Sequence, residues 1–282
     1  KALKKLIVDG GELAILDVRE EGVFSERHML YAASLPLSRL ELSIYDLVPR
    51  RSAPIVLSDG GDGLAERAEI ALTRFGYTHV SILEGGMGGW EAAGFEIFSG
   101  VNVPSKAFGE FVETNYRTPS ISAEELNAKI SAGEDLVVLD SRPIEEYRRM
   151  NIPTGIDVPG AELVYRVHDI APSPETLVVV NCAGRTRSII GAQSLINAGI
   201  PNRVVALRNG TMGWELAGFE IERGNDKRVL DSSAEGTARA LEAAGRVARR
   251  FGVGTIDRAT FDAWIGERET RTLYMFDVRN PE

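Results

Sequence analysis

Thiols and imidazoles are scarce in this chain of 282 residues, which holds one cysteine and three histidines. A lone cysteine, Cys182, forbids an intrachain disulfide, so a secreted disulfide scaffold is excluded and a cytoplasmic setting is expected. A four-cysteine zinc site is excluded too. His28, His79 and His168 show no metal-ligand spacing, so neither a metal nor another cofactor is expected. No apolar run reaches the ~18 residues of a membrane-spanning helix. The opening Lys1–Leu6, leading into Val8-Asp9-Gly10-Gly11, is too short an apolar stretch for a signal peptide, and no membrane partner is expected. An excess of basic charge is missing as well. Thirty-two Lys and Arg against 41 Asp and Glu leave a net charge of −9, which argues against general nucleic-acid binding. A local basic loop can still bind a small anion. What is present is ordinary globular composition, 44% hydrophobic and 26% charged, in a length that suits about two domains.

The chain repeats itself. Leu13–Arg19, Leu136–Arg142 and Leu273–Arg279 are each an apolar run closed by Asp-x-Arg, with Asp17 and Asp140 123 positions apart and Asp140 and Asp277 137 apart. The first two copies match further. Leu35-Pro36 corresponds to Val158-Pro159, and Ile55–Leu57 to Val178–Val180. The stretch Gly86-x-x-Gly89-Trp90-Glu91-x-Ala93-Gly94-Phe95-Glu96-Ile97 corresponds to Gly210-x-x-Gly213-Trp214-Glu215-x-Ala217-Gly218-Phe219-Glu220-Ile221. So many ordered matches mark a duplicated unit.

Each copy reads as a small α/β domain. The short apolar runs Leu13–Leu16, Ile55–Leu57 and Val80–Leu83, then Leu136–Leu139, Leu177–Val180 and Val204–Leu207, suit strands buried on both faces. Helical patterns lie between them, at Ala65–Phe75 and at Arg187–Asn197, the latter closed by Gly199. Ser122-Ala123-Glu124-Glu125 has the pattern of a capping box. Strands alternating with helices predict a mainly parallel sheet with helices on both faces, twice over. The expected organisation is a first domain over 1–100, a linker over 101–120, a second domain over 121–224, and a helical linker over 225–254 with its helix near Ala238–Phe251. Residues 255–282 are expected to open a third copy that stops after its first strand. Such a piece closes no sheet alone, so the chain is expected to belong to a longer one, or its tail to dock elsewhere.

The chemistry is expected in the loop of the second copy. Cys182 follows the run Leu177–Val180 and Asn181; Ala183, Gly184, Arg185, Thr186, Arg187 and Ser188 lead into the next helix. A thiol there sits at the C-terminal end of a central strand, where open α/β sheets bind ligands. Loop amides, the helix N-terminus and two arginines favour a thiolate, an anionic substrate and an anionic sulfur intermediate. The alternative is an inert buried cysteine, but two arginines within five residues are costly to bury unpaired.

These residues resemble the rhodanese sulfurtransferases over nearly the whole chain. The resemblance rests on the Asp-x-Arg after the first strand, on Cys-x-x-x-x-Arg-Ser from Cys182 to Ser188, and on the late Gly-x-x-x-Trp-x-x-Ala-Gly. Glu146-Tyr147 and Ile152-Pro153-x-Gly155-Ile156-x-Val158-Pro159 also look like the family. The usual Gly-His before that Ile is Met150-Asn151 here. The resemblance implies tandem rhodanese-like domains and a ping-pong thiosulfate sulfurtransferase. The Cys182 thiolate takes sulfur from thiosulfate or a similar donor and passes it to cyanide or a thiol. In that scheme the loop amides hold the persulfide, Arg187 holds the donor anion, and Arg185 is a solvent-facing donor contact. Asp140 and Arg142 read as a structural ion pair.

Two rivals remain open at this stage. One is a phosphatase or arsenate reductase of the same fold, whose loop commonly has five residues between Cys and Arg; here there are four, 183 to 186. The other is a binding or regulatory module. The first copy supports it locally, because Asp59 lies 123 positions before Cys182 and its loop, Asp59–Leu64, has neither thiol nor arginine. That copy is expected to be catalytically inactive. Trp90 and Trp214 read as core, His28 as a structural residue of a turn, and Arg246, Arg249 and Arg250 as a solvated or packing face.

Overall fold

The computed structural model describes residues 1–229 and 231–278. Its described residues fall into two compact units, 1–104 with 255–278, and 105–254. In the first unit, α1 (Ala2–Asp9) precedes β1 (Ala14–Asp17), α2 (Glu21–Glu26), β2 (Ala32–Ser34), α3 (Leu40–Leu47), β3 (Ile55–Ser58), α4 (Leu64–Arg74), β4 (Val80–Ile82) and α5 (Gly86–Ala92). The four strands form one parallel sheet in the order β2-β1-β3-β4. Two apolar clusters, one around Leu57, Leu72 and Ile44 and one around Phe24, Met87 and Trp90, form its core.

The second unit repeats this plan and extends it. Its elements are α6 (Val103–Tyr116, of which the part from Ser105 belongs here), β5 (Ser120–Ile121), α7 (Ala123–Ser131), β6 (Leu136–Asp140), α8 (Ile144–Arg149), β7 (Ile156–Asp157), α9 (Leu163–Ile170), β8 (Leu177–Asn181), α10 (Thr186–Ala198), β9 (Val204–Leu207), α11 (Gly210–Leu216) and α12 (Ala234–Phe251). The sheet is parallel, in the order β5-β9-β8-β6-β7. Every residue of the central β8 is buried, as expected of a strand covered on both faces. The capping box forms: Glu125 N–H donates to Ser122 Oγ and the Ser122 N–H to Glu125 Oε2.

The segments expected as linkers are largely folded. Val112 of α6 joins the core of the second unit, and β5 pairs with β9, so most of 101–120 is part of the domain. The helix of the 225–254 segment begins at Ala234, four residues earlier than expected. It packs on α9 and α10 with Ala243 in the core, and Arg246 donates to the Ala198 carbonyl at the end of α10. An apolar flank on each segment, hidden among polar and charged residues, explains the packing.

Residues 255–278 also differ from expectation. After α13 (Arg258–Gly266) the run Leu273–Val278 carries no strand among the described residues. It lies within the first unit, where Tyr274 Oη donates to the Leu47 carbonyl at 2.8 Å and Arg50 donates to Thr272 Oγ1 at 2.9 Å. A strand needs a neighbour to satisfy its backbone, and no strand pairs with this run among the described residues. Arg279, the last member of the third Asp-x-Arg, lies outside the described residues.

Candidate active site

The loop carrying Cys182 joins β8 to α10. Asn181, the last residue of β8, fixes its floor: Nδ2 donates to Asp140 Oδ2 at 3.0 Å and to Thr211 Oγ1 at 2.9 Å. Asp140 in turn receives Arg142 Nε at 2.8 Å and Nη2 at 2.7 Å, while the same Nη2 donates to the Met150 carbonyl at 2.6 Å. This pair is almost fully buried, so removing either member strands a charge at a cost of about 3–5 kcal/mol. It is the turn-fixing ion pair expected from Asp-x-Arg, and Asp17 with Arg19 repeats it in the first unit.

The far wall of the loop is the N-terminus of α11. Thr211 N–H donates to the Cys182 carbonyl at 2.8 Å and Met212 N–H to the Ala183 carbonyl at 2.9 Å. In a planar trans peptide N–H and C=O point opposite ways. The amides of Ala183 and Gly184 therefore face away from α11. This close approach explains Gly210: at φ +56° a Cβ would stand 2.3 Å from the Cys182 oxygen and 2.6 Å from the Gly184 oxygen.

Cys182 is 2% exposed, and its Sγ lies 3.0 Å from the buried Ser188 Oγ, one turn into α10. A hydroxyl there can donate to a thiolate or to a persulfide. Thr186 opens α10 behind the loop. The two arginines stand at the rim, and both are already engaged. Arg187 makes a two-pronged pair with Glu146 of α8, each arm 2.8 Å, and those hydrogen bonds raise its guanidinium pKa above the usual arginine value against the effect of burial. The Arg187 hydrogen bonds hold the Glu146 carboxyl below the usual glutamate range, in spite of partial burial. Arg185 pairs with Glu113 and, at 3.0 Å, with Glu110, both on α6.

Cys182 through Ser188, expected on one loop and helix start, lie together there between β8 and α10. The arginines expected to hold a donor anion are occupied here by carboxylates of the chain itself. Glu110 and Glu113 went unnoticed. Their spacing of three marks a shared helix face, but nothing in the sequence ties that face to Arg185, 72 residues further on. Among the described residues, no group of His, Cys, Asp and Glu side chains is arranged to hold a metal.

The corresponding loop of the first unit is built differently. Asp59, 4% exposed, takes the place of the thiol, and its carboxylate accepts N–H bonds from Gly61 at 2.9 Å and Ala65 at 3.1 Å. Burial pushes this carboxyl up, but the amides outweigh it and hold it below the ordinary aspartate range. The amide cradle is thus filled by the chain's own anion. His28 is buried, with ring nitrogens 2.8 Å from the carbonyls of Met29 and Gly100, a structural role as expected. Trp90 and Trp214 are buried, each donating to a carbonyl six residues on.

Comparison with known proteins agrees with this geometry. The chain matches a thiosulfate sulfurtransferase from Pseudomonas aeruginosa with a TM-score of 0.94 and 53% identity over 99% of its length, and it covers 53% of that protein. A putative sulfur carrier protein, YrkF of Bacillus subtilis, is 29% identical over 34% of this chain and 50% of its own. An HTH-type transcriptional regulator of Mycobacterium tuberculosis, Rv0324, is 30% identical over 37% of this chain and 45% of its own. The chain thus spans about half the length of these relatives. The family model for the rhodanese-like domain matches residues 1–93 and again 122–217, and the chain belongs to the rhodanese-like family, with two copies of its domain.

Proposed function

We propose that this chain is a thiosulfate sulfurtransferase working through a persulfide on Cys182. The observation that carries the reading is the placement of the one thiol of the chain in a pinned strand-to-helix loop, beside Ser188 Oγ and before the helix whose first turn carries Arg187. The thiosulfate sulfurtransferase of Pseudomonas aeruginosa, at 53% identity, supports it. In the first half-reaction the Cys182 thiolate attacks the outer sulfur of thiosulfate. The new S–S bond forms as the old one breaks, and sulfite departs with its electron pair. In the second, cyanide or a thiolate attacks the outer persulfide sulfur and restores the Cys182 thiolate. The amides of Ala183 and Gly184, with Thr186 and Ser188, line the path of the developing charge. Arg187 stabilises the donor from the rim, and Arg185 stands further out.

In this reading the second copy is the catalytic one and the first is inert, a packing or cleft-forming module. The single thiol fits a reducing cytoplasm. A phosphatase reading is less well supported, because four residues between Cys182 and Arg187 make a small cradle for a tetrahedral oxyanion. Intact mass after thiosulfate exposure tests the proposal. Wild type should gain one sulfur atom, removable by cyanide, and Cys182→Ser should gain none. Added sulfur on Cys182→Ser refutes the mechanism.

A further inference from the structure

A buried chain of hydrogen bonds runs from β6 through β8 and α11 to the backbone of Cys182. Arg142 Nη2 donates to Asp140 Oδ2 at 2.7 Å, and Asn181 Nδ2 donates to that same oxygen at 3.0 Å. The other Asn181 Nδ2 proton goes to Thr211 Oγ1 at 2.9 Å, and the Thr211 hydroxyl donates to the Cys182 carbonyl at 3.2 Å. All five residues are buried. The Cys182 carbonyl takes two bonds from Thr211, because the Thr211 N–H also reaches it, at 2.8 Å. Two donors on one carbonyl lock the peptide plane between Cys182 and Ala183. They also polarise it, which makes the Ala183 N–H on the opposite edge a stronger donor. The first unit shows the same place with the side-chain tie removed. The repeat puts Ser58 at the position of Asn181 and Met87 at that of Thr211. The Met87 N–H still donates to the Asp59 carbonyl, at 2.9 Å, but Met87 has no hydroxyl to add. Ser58 Oγ is buried with no hydrogen-bond partner among the described residues. The tie is thus present in the copy that carries the thiol and missing from the copy that does not.

We infer that Asn181 and Thr211 are positioning residues for sulfur transfer, which hold the peptide between Cys182 and Ala183 with its N–H turned to receive an anion at the Cys182 sulfur. The link to sulfur transfer rests on the sulfurtransferase reading; the orientation of the peptide for an anion does not. Both residues act through the Cys182 carbonyl rather than on the sulfur. Arg142 and Asp140 fix the Asn181 amide. That amide fills a lone pair of the Thr211 oxygen, which leaves the hydroxyl proton to the carbonyl.

Cys182 is the sole thiol, so its alkylation by iodoacetate and by iodoacetamide, compared at one pH, reads the local preference for an anion. The thiolate fraction cancels in the ratio of the two rates. Thr211→Val keeps the size of the side chain and removes the hydroxyl. It should lower the iodoacetate-to-iodoacetamide ratio about threefold and kcat/KM for thiosulfate about tenfold, the order of one hydrogen bond's net contribution toward a charged group. Thr211→Ser restores the hydroxyl and should recover most of both losses. Asn181→Ser/Thr211→Met installs the pair that the first unit carries, and it should lower both quantities at least as far as Thr211→Val. Thermal melts separate lost folding from lost positioning, since all rates are taken well below each variant's Tm. A fall in the ratio of less than about twofold for Thr211→Val overturns the inference, and so does a Thr211→Ser ratio as low as that of the valine variant. A lowered ratio with unchanged kcat/KM for thiosulfate overturns the link to sulfur transfer. If Thr211→Val fails to fold, Asn181→Ser/Thr211→Met decides, and an unchanged ratio there overturns the inference. If thiosulfate loads no sulfur on wild type while the ratio falls as stated, the positioning for an anion stands and the sulfurtransferase reading falls. If sulfur loads on Cys182 and the variants move neither quantity, the positioning falls and the sulfurtransferase reading stands.

Discussion

Arg187 and Arg185 are two residues apart, yet their surroundings give them different work. Arg187 stands on the first turn of α10, five residues on from Cys182, and one carboxylate balances it. Arg185 precedes the helix and is balanced twice over. Donor binding should therefore depend more on Arg187. Arg187→Ala should lower kcat/KM for thiosulfate about 10- to 100-fold, the loss expected of one or two hydrogen bonds to a charged partner. Arg185→Ala should cost less, and by weakening electrostatic attraction more than by lost contact. Steady-state kinetics with both variants checks the order; equal or reversed losses would contradict the assignment. At this scale the sequence was informative wherever chemistry is local. Cys182, Ser188 and the arginines lie within seven positions, and Asp140 and Arg142 within three. Asn181 and Thr211 were invisible as partners, because their bond crosses from β8 to α11 and depends on the fold being complete.

Element geometry explains a second feature of the site. Strands β6 and β7 pair in register with Asp140 opposite Asp157, so two carboxyls meet at their C-terminal ends. Asp140 is neutralised by Arg142; Asp157 is buried, and one of its oxygens has no hydrogen-bond partner among the described residues. Burial first, then the Asp140 charge, push the Asp157 carboxyl up to about 7, against partial relief from Arg228. The sign follows from linkage. The folded state keeps this proton to about pH 7, while the unfolded chain loses it near ~3.9. Between those values unfolding releases a proton, so stability falls as pH rises, and above about 7 the full penalty is in place. Asp157→Asn should therefore stabilise the protein at pH 8 by on the order of 2 kcal/mol and give no gain at pH 4. Denaturant melts at the two pH values measure it, and an equal effect at both would refute the titration. Element types were legible because the runs are strongly periodic: Arg187–Asn197 reads as the helix that the structure extends only to Thr186–Ala198. The strand expected at Leu273–Phe276 shows the opposite case. Its side-chain pattern suits a strand, but pairing is a property of neighbours, and the described residues supply none.

At the level of the whole molecule, duplication has produced two loops from one design with opposite contents. In the second copy a thiol is held in the loop beside Ser188, with Arg187 five residues on at the start of α10. In the first, Asp59 inserts a carboxylate that the loop amides bind tightly, Leu64 stands where Arg187 stands in the other copy, and Asp62 flanks the loop. The sequence showed the missing thiol, but not that the amide cradle survives and is filled from within. Two outcomes are then conceivable for Asp59→Cys placed in a Cys182→Ser background. If the amides alone created the activity, removing the internal anion would free the cradle and the new thiol would turn over. If the rim charge is needed as well, the new thiol would meet donor without an arginine and with Asp62 opposing it. One misplaced charge about 4 Å away costs roughly 4 kcal/mol at an effective dielectric of ~20 before screening. Screening leaves a fraction of that, and each 1.4 kcal/mol is about tenfold. The expected turnover with thiosulfate and cyanide is therefore below about 1% of wild type. Adding Asp62→Ala and Leu64→Arg to the same background should recover a measurable part of it. Turnover near wild type from Asp59→Cys alone would show that the first copy lost only its nucleophile, and that the amide cradle, with no arginine at its rim, suffices for sulfur transfer.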